Sequence, residues 1–481
     1  MLIIAYPPDP KFLARAPFAY QPEPSLLALD QLLEDPRLLL RVSLDLMQSA
    51  PHAQETGRPS VPVEVTLREA VVRRLQGWSY REMESELAGS IKWRWFCRIY
   101  DHPVPDHTTL QAREALIQAA TLHELTDLTV KQGQDLKVTR GEKLRGDSSV
   151  VETHIHYPTD SRLLADGVRV LGRTLARARD VVDGRRVRWQ LAVFCNHTRQ
   201  ARRLARQIGQ TAREQSRKKG KNKEKSEAKM RKLYRRLLGA TQETWDHARL
   251  VQTWLRQAGQ PRALALAETL EHFGELVQQV LSQTVRRVLE GETVPAREKI
   301  VSLFEPHTAI IQRGKAAPLE TEYGRKVWYS EVDGGLISQY QIQVGNPPDD
   351  QEQWGASLKH QQQQFGHPPK MATGDRGVHS AENEQLAEQA GVKEVALPKP
   401  GHKTEEREVY EGQGWFKAAL RFRAGIEGRI SVLRGPRGLR RCLNRGESGI
   451  ERWVGWGIIT NNLAVIAAAL TRRRRKKKAA A

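Results

Sequence analysis

Lys143-Leu-Arg-Gly-Asp147-Ser-Ser-Val-Val-Glu152-Thr-His-Ile-His-Tyr157 is the stretch on which the fold turns. Residues 143–149 and 153–157 read as short strands. Downstream, residues 163–290 read as overwhelmingly helical, with breaks expected at Gly209, Gly220, Gly239 and Gly259. Within that block, 221–238 is expected to pair with 262–289 as an antiparallel helical hairpin. A strand pair follows at 326–332 and 336–344, around the turn Asp333-Gly334-Gly335. Then come a helix over 351–365, a strand over 370–373 ending at Gly374-Asp375, and a helix capped by Ser380 that stops at Gly391. A strand over 392–397 and a long helix over 415–434 complete the series. Strands, a helical block, a strand pair and then alternation predict an α/β fold: a mixed sheet interrupted by a large helical insertion.

Upstream, residues 1–60 are Pro-rich, with short helices expected around 26–46. Residues 67–76 are amphipathic and stop at Gly77, and Ser79 with Glu82 predicts a capping box for a helix to Leu87. The aromatic segment Lys92-Trp-Arg-Trp-Phe-Cys-Arg98 follows, with Trp93 and Trp95 expected in the core rather than stacked on bases. Pro103-Val-Pro-Asp-His-Thr-Thr-Leu110 then opens a helix expected to run through Ala120. Short helices joined by tight turns suit a helix-turn-helix-like DNA-binding domain, although any small helical bundle shares the pattern. The expected division is an N-terminal arm (1–60), a helical DNA-binding domain (61–135), the first part of a catalytic core (136–162), a basic helical insertion (163–300), the remainder of the core (301–440), and a C-terminal helix with a basic tail (441–481).

The chain has 481 residues, 39% of them hydrophobic, and a net charge of +21. That length allows two to four domains and a sizeable core. Residues 198–238 carry 16 Lys/Arg against 3 Asp/Glu, and Arg472 to Lys478 adds seven more cations, so the rest is nearly neutral. Two concentrated basic runs on a balanced body suit a polyanion, with binding made strong and salt-dependent by counterion release. Cys97, Cys195 and Cys442 lie far apart, which excludes a disulfide framework or a zinc module and fits a reducing compartment. The N-terminus lacks a basic leader, and Asn461-Asn462 interrupts the apolar stretch 453–470, so a buried helix and a soluble intracellular protein are expected.

Asp147 and Asp375 both stand where a strand passes into a loop, the place where ligand-binding side chains collect in α/β sheets. Glu427 lies in the long helix with Arg423 four residues before and Arg434 seven after, on one face. Alone, that trio reads as a surface ion-pair ladder. Together the three acids make a coherent site for phosphodiester chemistry, because two Mg²⁺ ions about 3.5–4 Å apart need only a few carboxylates. Arg423 and Arg434 would then hold phosphates.

These residues carry a family resemblance. The chain resembles bacterial insertion-sequence transposases of the DDE superfamily, especially the ISNCY-like group. The likeness rests on Gly77-Trp-Ser-Tyr-Arg-Glu-Met-Glu84 through Phe96 to Pro103–Leu110, on Asp147-Ser-Ser-Val-Val-Glu with Thr-His-Ile-His-Tyr-Pro-Thr-Asp-Ser161, on Gly374-Asp375-Arg376-Gly377, and on Arg423-xxx-Glu427-xxxxxx-Arg434. Leu420 and Arg434 stand where that last signature has Tyr and Lys. The resemblance implies an RNase H-like core in which Asp147, Asp375 and Glu427 are catalytic and hold two Mg²⁺, with Mn²⁺ as a substitute and Asp147 bridging.

It also implies phosphate or DNA contacts from Arg423, Arg434 and Arg376, joined by Lys218, Lys219, Lys221, Arg235 and Arg236 of the basic insertion. The implied partners are double-stranded DNA (terminal inverted repeats and target) and a second copy in a DNA-assembled homodimer, acting in a bacterial cytoplasm at the nucleoid, with no membrane and no small-molecule substrate. Glu152 reads as supporting or structural, Asp160 and Asp166 as capping residues, and Asp333 as a turn residue. His154 and His156 lack a third ligand for a metal. Two other readings stay open: a DNA-binding protein without catalysis, and a metal-dependent nuclease without strand transfer.

Overall fold

A computed structural model describes residues 2–13, 21–49, 60–182, 191–215, 221–312, 321–345 and 348–480. The chain divides into two compact units. One comprises Met1–His154, Arg325–Val344 and Pro348–Ala481; the other comprises Ile155–Gly324 and Gly345–Pro347.

The first unit begins with α1 (Pro24–Leu33) and α2 (Pro36–Gln48), each started by a proline whose missing N–H costs a helix nothing there. Helix α3 (Val63–Gln76) ends at Gly77, in the left-handed region at φ 75°. Helix α4 (Tyr80–Gly89) carries the expected capping box of Ser79 and Glu82. Helices α5 (Ile91–Phe96), α6 (His107–Ala115) and α7 (Ala119–Asp135) follow. The helix expected through Ala120 is therefore two helices. The Asp45 carboxylate accepts from the Gln118 backbone N–H at 2.8 Å, and that tertiary bond fixes the break between them. Trp93 is buried as expected, in a core shared with Phe96, Leu110 and Trp456.

Strand β1 (Lys143–Glu152) is continuous, and residues 153–157 form no strand. The two strands expected here are one because Glu152 pairs with Arg441: its N–H donates to the Arg440 carbonyl, and its carbonyl accepts from Cys442. β1 pairs in parallel with β5 (Met371–Thr373), which pairs in parallel with β6 (Glu394–Ala396). β3 (Thr321–Val332) neighbours β1 and pairs antiparallel with β4 (Leu336–Ile342). The remaining strand of this mixed six-stranded sheet is β2 (Ala309–Gln312), antiparallel to Thr321–Gly324 in the second unit.

Helices α12 (Gln351–Phe365), α13 (Ala381–Gln389), α14 (Glu405–Gly412) and α15 (Gly414–Arg434) fill the connections of the first unit. α16 (Glu447–Ala480) closes it. α16 is the one helix long and apolar enough to cross a membrane among the described residues, yet two-thirds of its apolar window is buried. Asn462 in that window clamps β4: it accepts from the Ile337 N–H (2.9 Å) and donates to the Ile337 carbonyl (2.8 Å). Its last turns expose Arg472 to Lys477.

The second unit holds α8 (Asp160–Ala178), α9 (Thr198–Gln215), α10 (Lys221–Ala258) and α11 (Pro261–Thr284) around an aliphatic core. α10 and α11 run antiparallel. The Trp245 indole donates to the Gly274 carbonyl (2.9 Å), and Arg256 meets Glu271 (2.7 Å), so positions climb on one helix as they fall on the other. The hairpin turns at Gly259, φ 68°. Gly209 and Gly239, expected as breaks, lie inside α9 and α10. One glycine costs a helix only about 1 kcal/mol, which packing along the unit overrides. Gly220 lies outside the described residues.

Candidate active site

The β1–β5 register sets the site. Arg145 pairs with Thr373. Two residues on from that pair, Asp147 continues β1 while Asp375 stands in the loop beyond β5, near enough for its charge to bear on Asp147. Gly146 is needed before the first of them, because a Cβ there would overlap the Trp328 indole. That indole is fixed by donating to Ser357 Oγ at 2.8 Å.

Asp147 is mostly buried, with 18% of its side chain exposed. Burial pushes its pKa up to about 6, and the charges of Asp375 and Asp350 push the same way. The Ser148 N–H (2.7 Å) and Arg423 pull against this, without cancelling it. Asp375 stands in the loop after β5, where its Oδ1 accepts from the N–H groups of Gly377 (3.0 Å) and Val378 (3.2 Å). Its position is therefore held by its own turn.

Glu427 is different. It stands on α15 with 71% of its side chain exposed, and Arg423 reaches it at 3.7 Å. The same guanidinium reaches Asp147 at 3.8 Å, so Arg423 lies between the buried and the exposed acid. Among the described residues no group of three or more His, Cys, Asp or Glu is placed to hold a metal ion. The structure thus brings Asp147 and Asp375 together electrostatically and leaves Glu427 at the solvent edge.

Two arrangements that the sequence reading missed support the site, and the first aims α15 at the strands. Arg145 of β1 forms a two-pronged pair with Glu331 of β3 (2.7 and 2.9 Å) and also donates to the Phe422 carbonyl of α15. Arg429 of α15 meets the same Glu331 at 3.4 Å. Glu331 has no exposed side-chain surface, so this brace is wholly internal on the strand side. The signal was available: a lone acid within the apolar run Val327-Trp-Tyr-Ser-Glu-Val332 must have a cationic partner. The second is Asp350, which accepts from Ser148 Oγ (3.0 Å), Gln343 (2.6 Å) and Lys326 (2.6 Å).

The remaining expected site residues fall into separate places. Arg434 donates to Ser149 Oγ (3.0 Å) and the Val150 carbonyl (2.8 Å), tying the end of α15 to β1. Arg376 is exposed beside Asp375. In the second unit, Arg235 and Arg236 are exposed on α10, and Lys221 begins that helix; Lys218 and Lys219 lie outside the described residues. Glu152 is paired with Arg441 at 2.7 Å. Thr159 caps α8, leaving Asp160 to meet Arg287 at 3.3 Å and Asp166 to meet Arg169 at 2.8 Å. The Asp333 carboxylate accepts from the N–H groups of Arg140 and Lys143, tying the β3–β4 turn to the start of β1.

Three arginines of α3 point inward. Arg73 grips Glu114 (2.5 Å), Arg68 grips Asp30 (2.6 Å), and Arg74 donates to the Trp453 carbonyl (2.6 Å).

Residues 21–113 match the family described as Transposase domain (DUF772). The match begins within the segment read from sequence as an arm and includes α1 to most of α6. It supports an insertion-sequence transposase family and a transposase role, without fixing the group within that family. Neither the curated proteins nor the solved structures searched give a match to this chain.

Proposed function

We propose that the chain is a DNA transposase that binds the terminal inverted repeats of its element, cuts the element ends, and joins their 3′-hydroxyls to target DNA. One observation carries this reading: Asp147 of β1 is buried with its pKa raised to about 6, and Asp375, in the loop that follows the parallel neighbour β5, adds its charge at the same place. A carboxylate so placed favours any cation that relieves it. The strand neighbours support an RNase H-like reading of the core, with β1, β5 and β6 parallel and β3 and β4 antiparallel.

The donor set fits magnesium, which takes oxygen ligands, keeps several waters and needs only one or two carboxylates. Asp147 and Asp375 would hold the ions, with Glu427 joining from the solvent edge. Bound there, Mg²⁺ (or Mn²⁺) supplies activation of the attacking oxygen and stabilisation of the leaving one. Arg423, between Asp147 and Glu427, holds the phosphate that brings the scissile bond to the carboxylates, and exposed Arg376 steadies the neighbouring backbone. Arg434 serves the site by holding α15 on β1.

DNA binding beyond the site is assigned to the exposed cations of the second unit, Arg235 and Arg236 among them, and to the basic end of α16. Arg68, Arg73 and Arg74 are engaged inside the N-terminal helices. A helix-turn-helix-like contribution therefore falls to outward positions of α4 and α6. Both element ends must be held at once, so a homodimer assembled on DNA in the bacterial cytoplasm is the working form.

The test is a plasmid bearing the gene's own flanking DNA, incubated with the protein and Mg²⁺, wild type beside Asp375→Asn. Cleavage and joining by wild type alone support the proposal. Cleavage without joining replaces it with a nuclease. Retention of DNA by both proteins without cleavage replaces it with a binding protein.

A further inference from the structure

The second unit contains a cleft of about 810 Å³ that the proposed chemistry does not use. Arg162 of α8 and Arg202, Arg206 and Arg213 of α9 line it. On α9, positions 202, 206 and 213 are four and seven residues apart, which puts them on one helix face. Arg162, Arg202 and Arg206 are exposed. The one acid in the lining, Asp166, is taken by Arg169 at 2.8 Å, so the cleft keeps its positive charge. Tyr157 stands at the cleft with 69% of its surface exposed, its ring held edge-on against Tyr323 at 5.8 Å between centroids.

Small-molecule sites of this volume are lined mostly by apolar groups with a few polar ones. Here the charged groups among the apolar ones are four guanidiniums against one acid, and an exposed aromatic ring stands beside them. That combination suits single-stranded nucleic acid, with cations following the phosphates and a ring offering a stacking face to any base. The volume falls within the roughly 300–1,000 Å³ of ordinary ligand pockets, enough for a nucleotide or two.

We infer that this cleft binds a short single-stranded DNA segment, with Arg162, Arg202 and Arg206 on its phosphates and Tyr157 stacked on a base. The inference rests on the reading of the chain as DNA-acting, and it adds that part of the substrate is held unpaired.

The test uses the full chain and two separate ligands, 5′-fluorescein hexathymidylate and a labelled duplex of the gene's flanking DNA. Fluorescence anisotropy is recorded across a salt series. Arg202→Ala with Arg206→Ala should weaken hexathymidylate binding about tenfold or more and reduce the salt slope by about 1.4. Tyr157→Ala should weaken it about fivefold or more with the slope unchanged, because stacking is not an ionic contact. Arg203→Ala removes one such charge from an exposed position of α9 outside the cleft lining and should stay within about twofold of wild type. Wild type that binds the duplex but not hexathymidylate overturns the cleft and leaves the transposase reading standing. An Arg203→Ala loss equal to that of the double variant also overturns it, by showing general attraction. Wild type that binds neither ligand overturns both readings.

Discussion

Asp147 holds its proton more tightly in the folded chain than an ordinary aspartate does, and this has a measurable cost. Its pKa rises from 3.8 to about 6 on burial beside Asp375 and Asp350. Between those values the folded state keeps a proton that the unfolded state releases, so the group's contribution to stability falls as pH rises through that window. Above it, the ionised carboxylate costs the fold on the order of 3 kcal/mol. Asp147→Asn is therefore expected to raise the thermal midpoint at pH 7.5, and the gain should vanish below about pH 4, where wild type is protonated in both states. Differential scanning across that range checks it; a gain independent of pH would point to packing instead. Adding Mg²⁺ should raise the wild-type midpoint more than that of Asp147→Asn, since an ion bound only by the folded state stabilises it.

Among the elements, α15 is the part whose placement decides whether Arg423 and Glu427 reach the strands. Its anchor is Arg145, shared between buried Glu331 and the Phe422 carbonyl. Removing one partner of a buried pair leaves the other charge stranded, which typically costs 3–5 kcal/mol. Arg429 remains near Glu331, so Arg145→Ala is expected to destabilise by about 3 kcal/mol. A drop of that size in denaturant stability, with DNA cleavage reduced further than unfolding explains, would show that the brace positions the site.

Most of these elements were legible in the sequence because their signals are local. The Ser79–Glu82 box, the Asp333-Gly334-Gly335 turn, the helix over 351–365 and the strand ending just before Asp375 each depend on a few neighbouring residues. The strand end expected near Asp147 does not occur, because β1 runs on to Glu152. What the sequence hid was long-range. Arg145 and Glu331 are 186 positions apart, and the pairing of Glu152 with Arg441 that makes β1 one strand spans 289. Nothing near Gln118 announces that Asp45 will cap the helix after it. Helix α14 went unread because its run Glu405–Gly412 buries none of its residues and so carries no apolar stripe.

At the scale of the whole molecule, charge is segregated from chemistry. The carboxylates lie in the first unit, where many arginines are paired internally; much of the exposed excess lies on α9, α10 and the end of α16. In α16, Arg473 donates to the carbonyls of Leu136 and Lys137 and Arg474 to Gln31 Oε1, which fixes the start of the basic run and leaves Arg475 to Lys477 facing solvent. Removing residues 472–481 is expected to weaken duplex binding at low salt and to lower the salt slope by about 3–5, with the thermal midpoint nearly unchanged. An unchanged slope would assign the tail no phosphate contacts.

The most direct test of the central claim is strand joining between a labelled element end and a target plasmid, comparing Asp147→Asn, Asp375→Asn and Glu152→Gln. Glu152 is a nearby acid already occupied by Arg441. The two Asn variants are expected to lose joining by about a thousandfold or more, while Glu152→Gln stays within about threefold of wild type. Joining at the wild-type rate by either Asn variant would contradict the account.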